Sequence, residues 1–332
     1  MASASPDPSY PPLFRGPNHH HVTPPPRRGP TTAHEPSFEL PLLDLENLGP
    51  AQLAGACAEW GLFRAANHGV PAALAAELRR AAAALLALPF EAKDAAAATA
   101  TSSAAASYFW GSPAGPIRVK NLNWVEGFHV SLAGCGDVAI GGGEFSLFRG
   151  LVNQYCKHMA RIARTIFDAM AIDLKLTGNQ SSSYLSEHDG TFRVYRYPRR
   201  PENCNNFGME AHTDSSVLSI LNQDDVGGLQ ILHRGEWLDV KPVADTLIVN
   251  LGDMMQAISS DRYKSVEHRV VANPFTERKS LCYFAFPVED SVIISSNYKP
   301  FTYKQFKAQV EEDIKVTGAK VGLSRFRITA SN

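Results

Sequence analysis

The chain has 332 residues, with 32 Lys and Arg set against 33 Asp and Glu, a formal net charge of -1 and a pI near 6.8. That balance gives no basic footprint for nucleic acid or for an anionic membrane surface, and the length suits one large domain or two modest ones. Five scattered cysteines without C-x-x-C spacing indicate neither a disulfide framework nor a zinc knuckle. No run of about 18 apolar residues and no secretory leader pattern occurs, so a soluble, cytoplasmic protein is expected.

Residues 1–36 hold ten prolines and few aliphatics and are expected to form a disordered tail, since they bury too little surface to offset the entropy of ordering. His19, His20 and His21 within it read as an incidental cluster. A first strand is predicted over Glu39–Leu45 and a short helix over Ala51–Trp60, which Gly61 ends as a natural cap. Leu62–Asn67 reads as the next strand, and His68 after it as structural. Pro71 suits the first turn of a helix whose apolar positions Leu74, Leu78, Ala81, Leu85 and Leu88 follow helical spacing, with Pro89 stopping it. The tract Ala95–Ala106 lacks an apolar stripe and is expected to be a poorly packed loop. Tyr108–Leu132 concentrates aromatics, which either line an apolar ligand pocket or pack on the outside of the barrel.

A Gly-rich loop at residues 134–143 precedes a long helix, Leu151–Ile172, whose stripe of Tyr155, Met159, Ile162, Ile166 and Ala169 belongs to a core. Arg196, Arg199 and Arg200 read as a solvated turn. Short strands punctuated by turn residues follow at 229–232, 237–240 and 246–251, a spacing that argues a sandwich or barrel. The last helix starts at Thr302 with Gln305 placed for a capping box and stops at Gly318. On it, Glu311, Glu312 and Asp313 read as a solvated face.

The chemistry is concentrated between Ala211 and Phe286. His212 and Asp214 lie two residues apart in a run, Met209–Leu221, that alternates as a strand, which puts them on one face. His268, in a second predicted strand over Lys264–Val271, is placed to complete a set of two imidazoles and a carboxylate. That set leaves open positions on a metal and suits Fe(II), whereas a closed zinc site calls for four ligands. Alone, His268 also reads as a half-buried, hydrogen-bonded histidine. Arg278 and Ser280 share a face of a predicted strand, and a guanidinium fork with a hydroxyl is suited to the far end of a dicarboxylate. Without the histidines, Arg278 would read as a surface residue on an edge strand.

His212-Thr213-Asp214, Gly227-Gly228-Leu229-Gln230, Asn250-Leu251-Gly252-Asp253, Tyr263 to Val270 and Arg278-Lys279-Ser280 stand in an order and spacing that resemble the plant Fe(II)- and 2-oxoglutarate-dependent dioxygenases. The resemblance implies an α+β fold with a double-stranded β-helix (jelly-roll) core at 189–288. A mainly helical region at 37–188 would precede the core, and a segment with a helix at 289–332 would follow it. It implies Fe(II) on His212, Asp214 and His268, the 2-oxoglutarate C5 carboxylate on Arg278 and Ser280 with Tyr197 reaching the same co-substrate, and O2 as the second co-substrate. Matching positions also suggest Arg193, Phe128, Phe284 and Phe286 as substrate-site residues.

The tracts around Trp110, Trp124–His129 and Glu312–Leu323 are similar to those of the gibberellin 2-oxidases, in particular the branch acting on C20 gibberellins, although Tyr195 and Ser131 replace the usual Asn and Pro. The expected activity is therefore hydroxylation of a gibberellin-like diterpenoid acid. Oxidation or desaturation of another plant metabolite, such as a flavonoid or alkaloid, and a non-catalytic barrel that holds a small acid are the alternatives. The oligomeric state is not readable.

Overall fold

The computed structural model describes residues 7–15, 38–98, 106–111, 123–132, 143–186, 189–200 and 207–328. The N-terminal region supplies β1 (Leu42–Asp44), α1 (Pro50–Glu59), β2 (Leu62–Ala66), α2 (Ala72–Leu86), α3 (Phe90–Ala98), β3 (Ala106–Trp110) and β4 (Glu126–Ser131). Gly61, with φ +65, turns the chain from α1 into β2, and a Cβ there would meet the Lys264 carbonyl at 2.3 Å. α4 (Glu144–Asp173) is 30 residues long, about 45 Å, and begins at Glu144 because Phe145 and Phe148 continue its buried stripe. The short α5 (Gly178–Ser183) is closed at its N-terminus by a Thr177–Gln180 capping box.

The remaining strands are β5 (Gly190–Tyr197), β6 (Phe207–His212), β7 (Leu218–Gln223), β8 (Leu229–His233), β9 (Glu236–Asp239) and β10 (Leu247–Leu251). After the short α6 (Asp253–Ile258) come β11 (His268–Val271), β12 (Arg278–Ala285), β13 (Val292–Ile293) and β14 (Phe301–Thr302), then α7 (Tyr303–Thr317). They form an eight-stranded sheet in the order β1-β2-β10-β7-β12-β5-β4-β3 and a four-stranded sheet in the order β6-β11-β8-β9. The N-terminal region thus adds four strands to the larger sheet besides its helices. Together the two sheets make the jelly roll.

Alternation decides what each sheet face does. Phe128, Phe192, Val194, Ile220, Val249, Leu281 and Tyr283 point outward into one core with the stripe of α4. Tyr195, Tyr197, Ile248, Cys282 and Phe284 point inward and meet Leu229, Ile231 and Val270 of the smaller sheet in a second core. Burial on both faces explains why β10 reads as an almost unbroken apolar run. α7 behaves as its sequence predicts: Thr302 and Gln305 form the capping box, and Gly318 at φ 85 ends the helix.

Four expectations are corrected. Met209–Leu221 is not one strand, because the chain leaves the smaller sheet after His212 and enters the larger one at Leu218. The tract from Ala95 is helical to Ala98, with Ala97 buried; residues 99–105 lie outside the described residues. Asp313 is 2% exposed, because Arg325 Nη2 pairs with it at 2.9 Å and Gln309 donates to it at 3.0 Å.

The fourth concerns the N-terminus and Arg196 together. Residues 7–15, inside the expected tail, are packed: Tyr10 and Phe14 bury their rings against Trp110 and Trp124. Behind them lies a buried charge cluster. The Glu126 carboxylate pairs with Arg196 and, at 2.6 Å, with Lys93 Nζ, and accepts from the Tyr108 hydroxyl at 2.6 Å. Lys93 also donates to the Ser9 carbonyl at 2.8 Å and Arg196 to the Ser9 hydroxyl at 3.1 Å, so Arg196 is a core residue while Arg199 is exposed. The rest of the tail, including His19–His21, lies outside the described residues.

Glu126→Gln should leave Lys93 buried without its counter-ion and Arg196 with only Glu277, 3.9 Å away, and cost about 3–5 kcal/mol. A lowered urea midpoint is the expected readout, with a smaller drop when residues 1–16 are deleted.

Candidate metal centre

His212 is the last residue of β6 and His268 the first of β11, and the two pair directly across the smaller sheet. Their ring centroids lie 4.4 Å apart. Asp214 sits past the end of β6, in the corner that leads to β7. Each imidazole Nε2 is 3.8 Å from its Oδ1, and the three candidate ligand atoms all lie within 4.8 Å of one another.

Hydrogen bonding prepares these atoms for a cation. His212 Nδ1 faces the Glu210 carbonyl at 2.8 Å and His268 Nδ1 the Val266 carbonyl at 3.1 Å. A carbonyl only accepts, so in each neutral ring the proton sits on Nδ1 and the Nε2 lone pair is free to ligate. Asp214 Oδ2 accepts from Ser219 Oγ at 2.5 Å and from Asn250 Nδ2 at 2.7 Å, which leaves the Oδ1 lone pairs, like those of the two Nε2 atoms, free for a cation. Burial alone would raise the Asp214 pKa, but His268, His212 and those two donors hold it down at about 2. Burial and the neighbouring His268 lower His212 to about 4. Two imidazole Nε2 atoms and one carboxylate oxygen therefore converge, a donor set that fits a divalent first-row metal.

Across the interior, Arg278 is 1% exposed. Its Nη1 donates to Ser280 Oγ at 3.3 Å, its Nη2 donates to Gln223 Oε1 at 3.1 Å, and its guanidinium lies over the Tyr197 ring. Tyr197 is the register partner of Arg278 on β5, and Tyr195 that of Ser280. Among the described residues no carboxylate pairs with Arg278. A buried cation held only by neutral groups is costly, and an anionic ligand would compensate it.

Arg193, Phe284 and Phe286 come together on the same side. Arg193 Nε donates to His129 Nδ1 at 3.1 Å, its Nη1 to the Tyr195 hydroxyl at 3.3 Å, and its guanidinium lies 4.9 Å from the Phe284 ring centroid. Phe286, just beyond β12, stacks on Tyr303. Phe128 is not brought to the site. It points to the opposite face of β4, against Phe145 and Phe148, and His129 takes the inward position.

Ser219, Asn250, Gln223 and His129 are the site residues that the sequence reading missed. Asn250 had a usable signal, the single polar residue of an otherwise apolar strand. His129 carries its own pH dependence. Burial, then Arg193, lowers its pKa from 6.5 to about 4, so its contribution to stability is fully present above the unfolded value. That contribution is lost as the pH falls toward the folded one. His129→Gln should flatten the stability profile in that window, measured by urea unfolding at a series of pH values.

A jelly roll with such a donor set at its lip has the architecture of the non-haem metal oxygenases. The sequence is more specific. Residues 188–287 match the family model of the 2OG-Fe(II) oxygenase superfamily, and residues 40–134 match that of the non-haem dioxygenase in morphine synthesis N-terminal region. The chain is 39% identical to gibberellin 2-beta-dioxygenase 6 of Oryza sativa subsp. japonica, over 87% of this chain and 85% of that one. It is 34% identical to gibberellin 2-beta-dioxygenase 8 of Arabidopsis thaliana, over 89% of each. The crystal structure of the dioxygenase for auxin oxidation in rice superposes with a TM-score of 0.70 at 26% identity, covering 87% of this chain and 100% of that one. JOX2 in complex with 2OG, Fe and JA gives 0.70 at 28%, covering 82% and 85%.

The chain belongs to the 2OG-Fe(II) oxygenase superfamily. It is a 2-oxoglutarate-dependent dioxygenase of small-molecule substrates, with Fe(II) as cofactor and 2-oxoglutarate and O2 as co-substrates. Among the described residues no helix is long and apolar enough to cross a membrane.

Proposed function

We propose that the enzyme hydroxylates a gibberellin-like diterpenoid acid, as its similarity to four gibberellin 2-beta-dioxygenases at 31–39% identity suggests. In this reading Fe(II) is held by His212, Asp214 and His268. Arg278, Ser280 and Tyr197 hold the distal carboxylate of 2-oxoglutarate, and Arg193, Phe284 and Phe286 receive the substrate. The bound metal supplies activation of O2 coupled to decarboxylation of the keto acid to succinate. The protein holds both acids in register and keeps water away with the inner aromatic wall. Neither nucleic acid nor a bilayer is a partner in this reading. The buried free thiols of Cys57, Cys156 and Cys282 favour a cytoplasmic setting.

The observation that carries the substrate class is Arg193. Its guanidinium stands on the inner wall beside Phe284 and, among the described residues, pairs with no carboxylate. A rigid apolar acid would supply both the missing anion and a hydrocarbon skeleton for the rings. Incubating the enzyme with Fe(II), ascorbate, 2-oxoglutarate and a panel of C19 and C20 gibberellins should give products heavier by one oxygen atom. Turnover confined to flavonoids, alkaloids or other acids would replace the substrate assignment. Arg193→Gln should raise the KM for the acid substrate about tenfold or more while leaving that for 2-oxoglutarate near its original value.

A further inference from the structure

The single residue between two of the proposed metal donors is held from outside the jelly roll. Thr213 connects His212, at the end of the smaller sheet, to Asp214, in the corner that enters the larger one. Its carbonyl and hydroxyl oxygens both accept from Lys320 Nζ, at 2.8 and 3.2 Å. The same ammonium lies 2.6 Å from Asp253 Oδ2. Asp253 is 4% exposed and begins α6, and its backbone N–H donates to the Asp214 carbonyl at 2.8 Å. Lys320 and Asp253 therefore grip adjacent peptide units of the ligand corner.

Lys320 comes from the segment that follows α7, and that segment has its own anchors. Arg325 pairs with Asp313, and Phe326 packs on Phe301 and Phe306. Gly322, at φ +68, folds the chain back beside the lysine, where a Cβ would come within 3.2 Å of Lys320 Cε and 3.3 Å of Asp253 Oδ2. The polar contacts of Lys320 thus go to the ligand corner and its neighbour Asp253, while the C-terminal segment is docked by other groups.

We infer that Lys320 is a positioning residue for the metal centre. Its ammonium fixes the Thr213 peptide and, through Asp253, the corner that sets the separation of the His212 and Asp214 side chains. The C-terminal segment thereby becomes a determinant of metal affinity without contributing a ligand. The inference rests on the assignment of the metal to His212, Asp214 and His268.

Titration of the purified full chain with Co(II), followed by visible absorption, tests it without turnover. Lys320→Met should weaken Co(II) binding about 10–100-fold, the range for groups that orient ligands. Asp313→Asn loosens the same segment at a different anchor and should leave the affinity close to that of the wild type. The double variant Lys320→Met/Asp253→Asn removes the unpaired carboxylate and should stay weak, because the brace is still missing. Unchanged affinity in Lys320→Met, equal weakening in Asp313→Asn, or recovery in the double variant would each overturn the proposal. A wild-type chain that binds no Co(II) would instead overturn the metal assignment, and this inference with it.

Discussion

Asp214→Ala is expected to abolish consumption of 2-oxoglutarate and to weaken Fe(II) binding by about a thousandfold or more, beyond the 10–100-fold typical of losing an outer hydrogen-bond partner. Asp214 supplies the one carboxylate donor of the cluster, and two imidazoles remain without it. Its loss also strands Ser219 Oγ and Asn250 Nδ2, which now converge on Oδ2. Asp214→Asn separates charge from shape, because the amide fits the same space and can still meet those neighbours. If the carboxylate charge is what holds the metal, Asn fails nearly as completely as Ala. Metal content after equilibrium dialysis and succinate release report the two effects separately.

Arg278→Met is expected to weaken 2-oxoglutarate binding without weakening the fold. Removing one partner of a buried charge pair costs about 2–5 kcal/mol, so the KM for 2-oxoglutarate should rise roughly 30-fold to several thousandfold. The metal affinity should stay unchanged, because Arg278 touches none of the three donors. Without keto acid, the thermal midpoint should hold or rise, since the substitution removes a buried guanidinium supported only by Ser280, Gln223 and the Tyr197 ring. A purely structural arginine would lower the midpoint and leave the KM alone.

What was legible in the sequence was legible because it is local. The capping box of α7, the Gly61 turn and the stripe of α4 are read from neighbours within a few positions, and the structure follows them. Alternation along a single strand does not account for the donor triad. His212 and Asp214 do not share a strand; they flank a corner whose form depends on bonds from Asp253 and Met254, far along the chain, to the Asp214 and Ser216 carbonyls. Thr213–Val217 contains no Gly or Pro, and its Thr-Asp-Ser-Ser run is the one local hint of the change of sheet.

The other misreadings have the same origin. The composition of the tail conceals Tyr10 and Phe14, whose resting place is built by Trp110 and Trp124. Arg196 looks like a surface charge until β4 brings Glu126 beside it. Asp313 looks solvated until the chain returns with Arg325. For Phe128, alternation says that neighbours on β4 face opposite ways but not which way each faces. The register with β5, which sets His129 against Arg193, decides that.

The most direct test is equilibrium binding to the purified chain under anaerobic conditions, with Fe(II) added first and labelled 2-oxoglutarate second. One Fe(II) per chain is predicted, and the keto acid should bind tightly, also one per chain, only once the metal is present. Keto acid retained equally well without iron, or iron retained equally well by Asp214→Ala, would contradict the account.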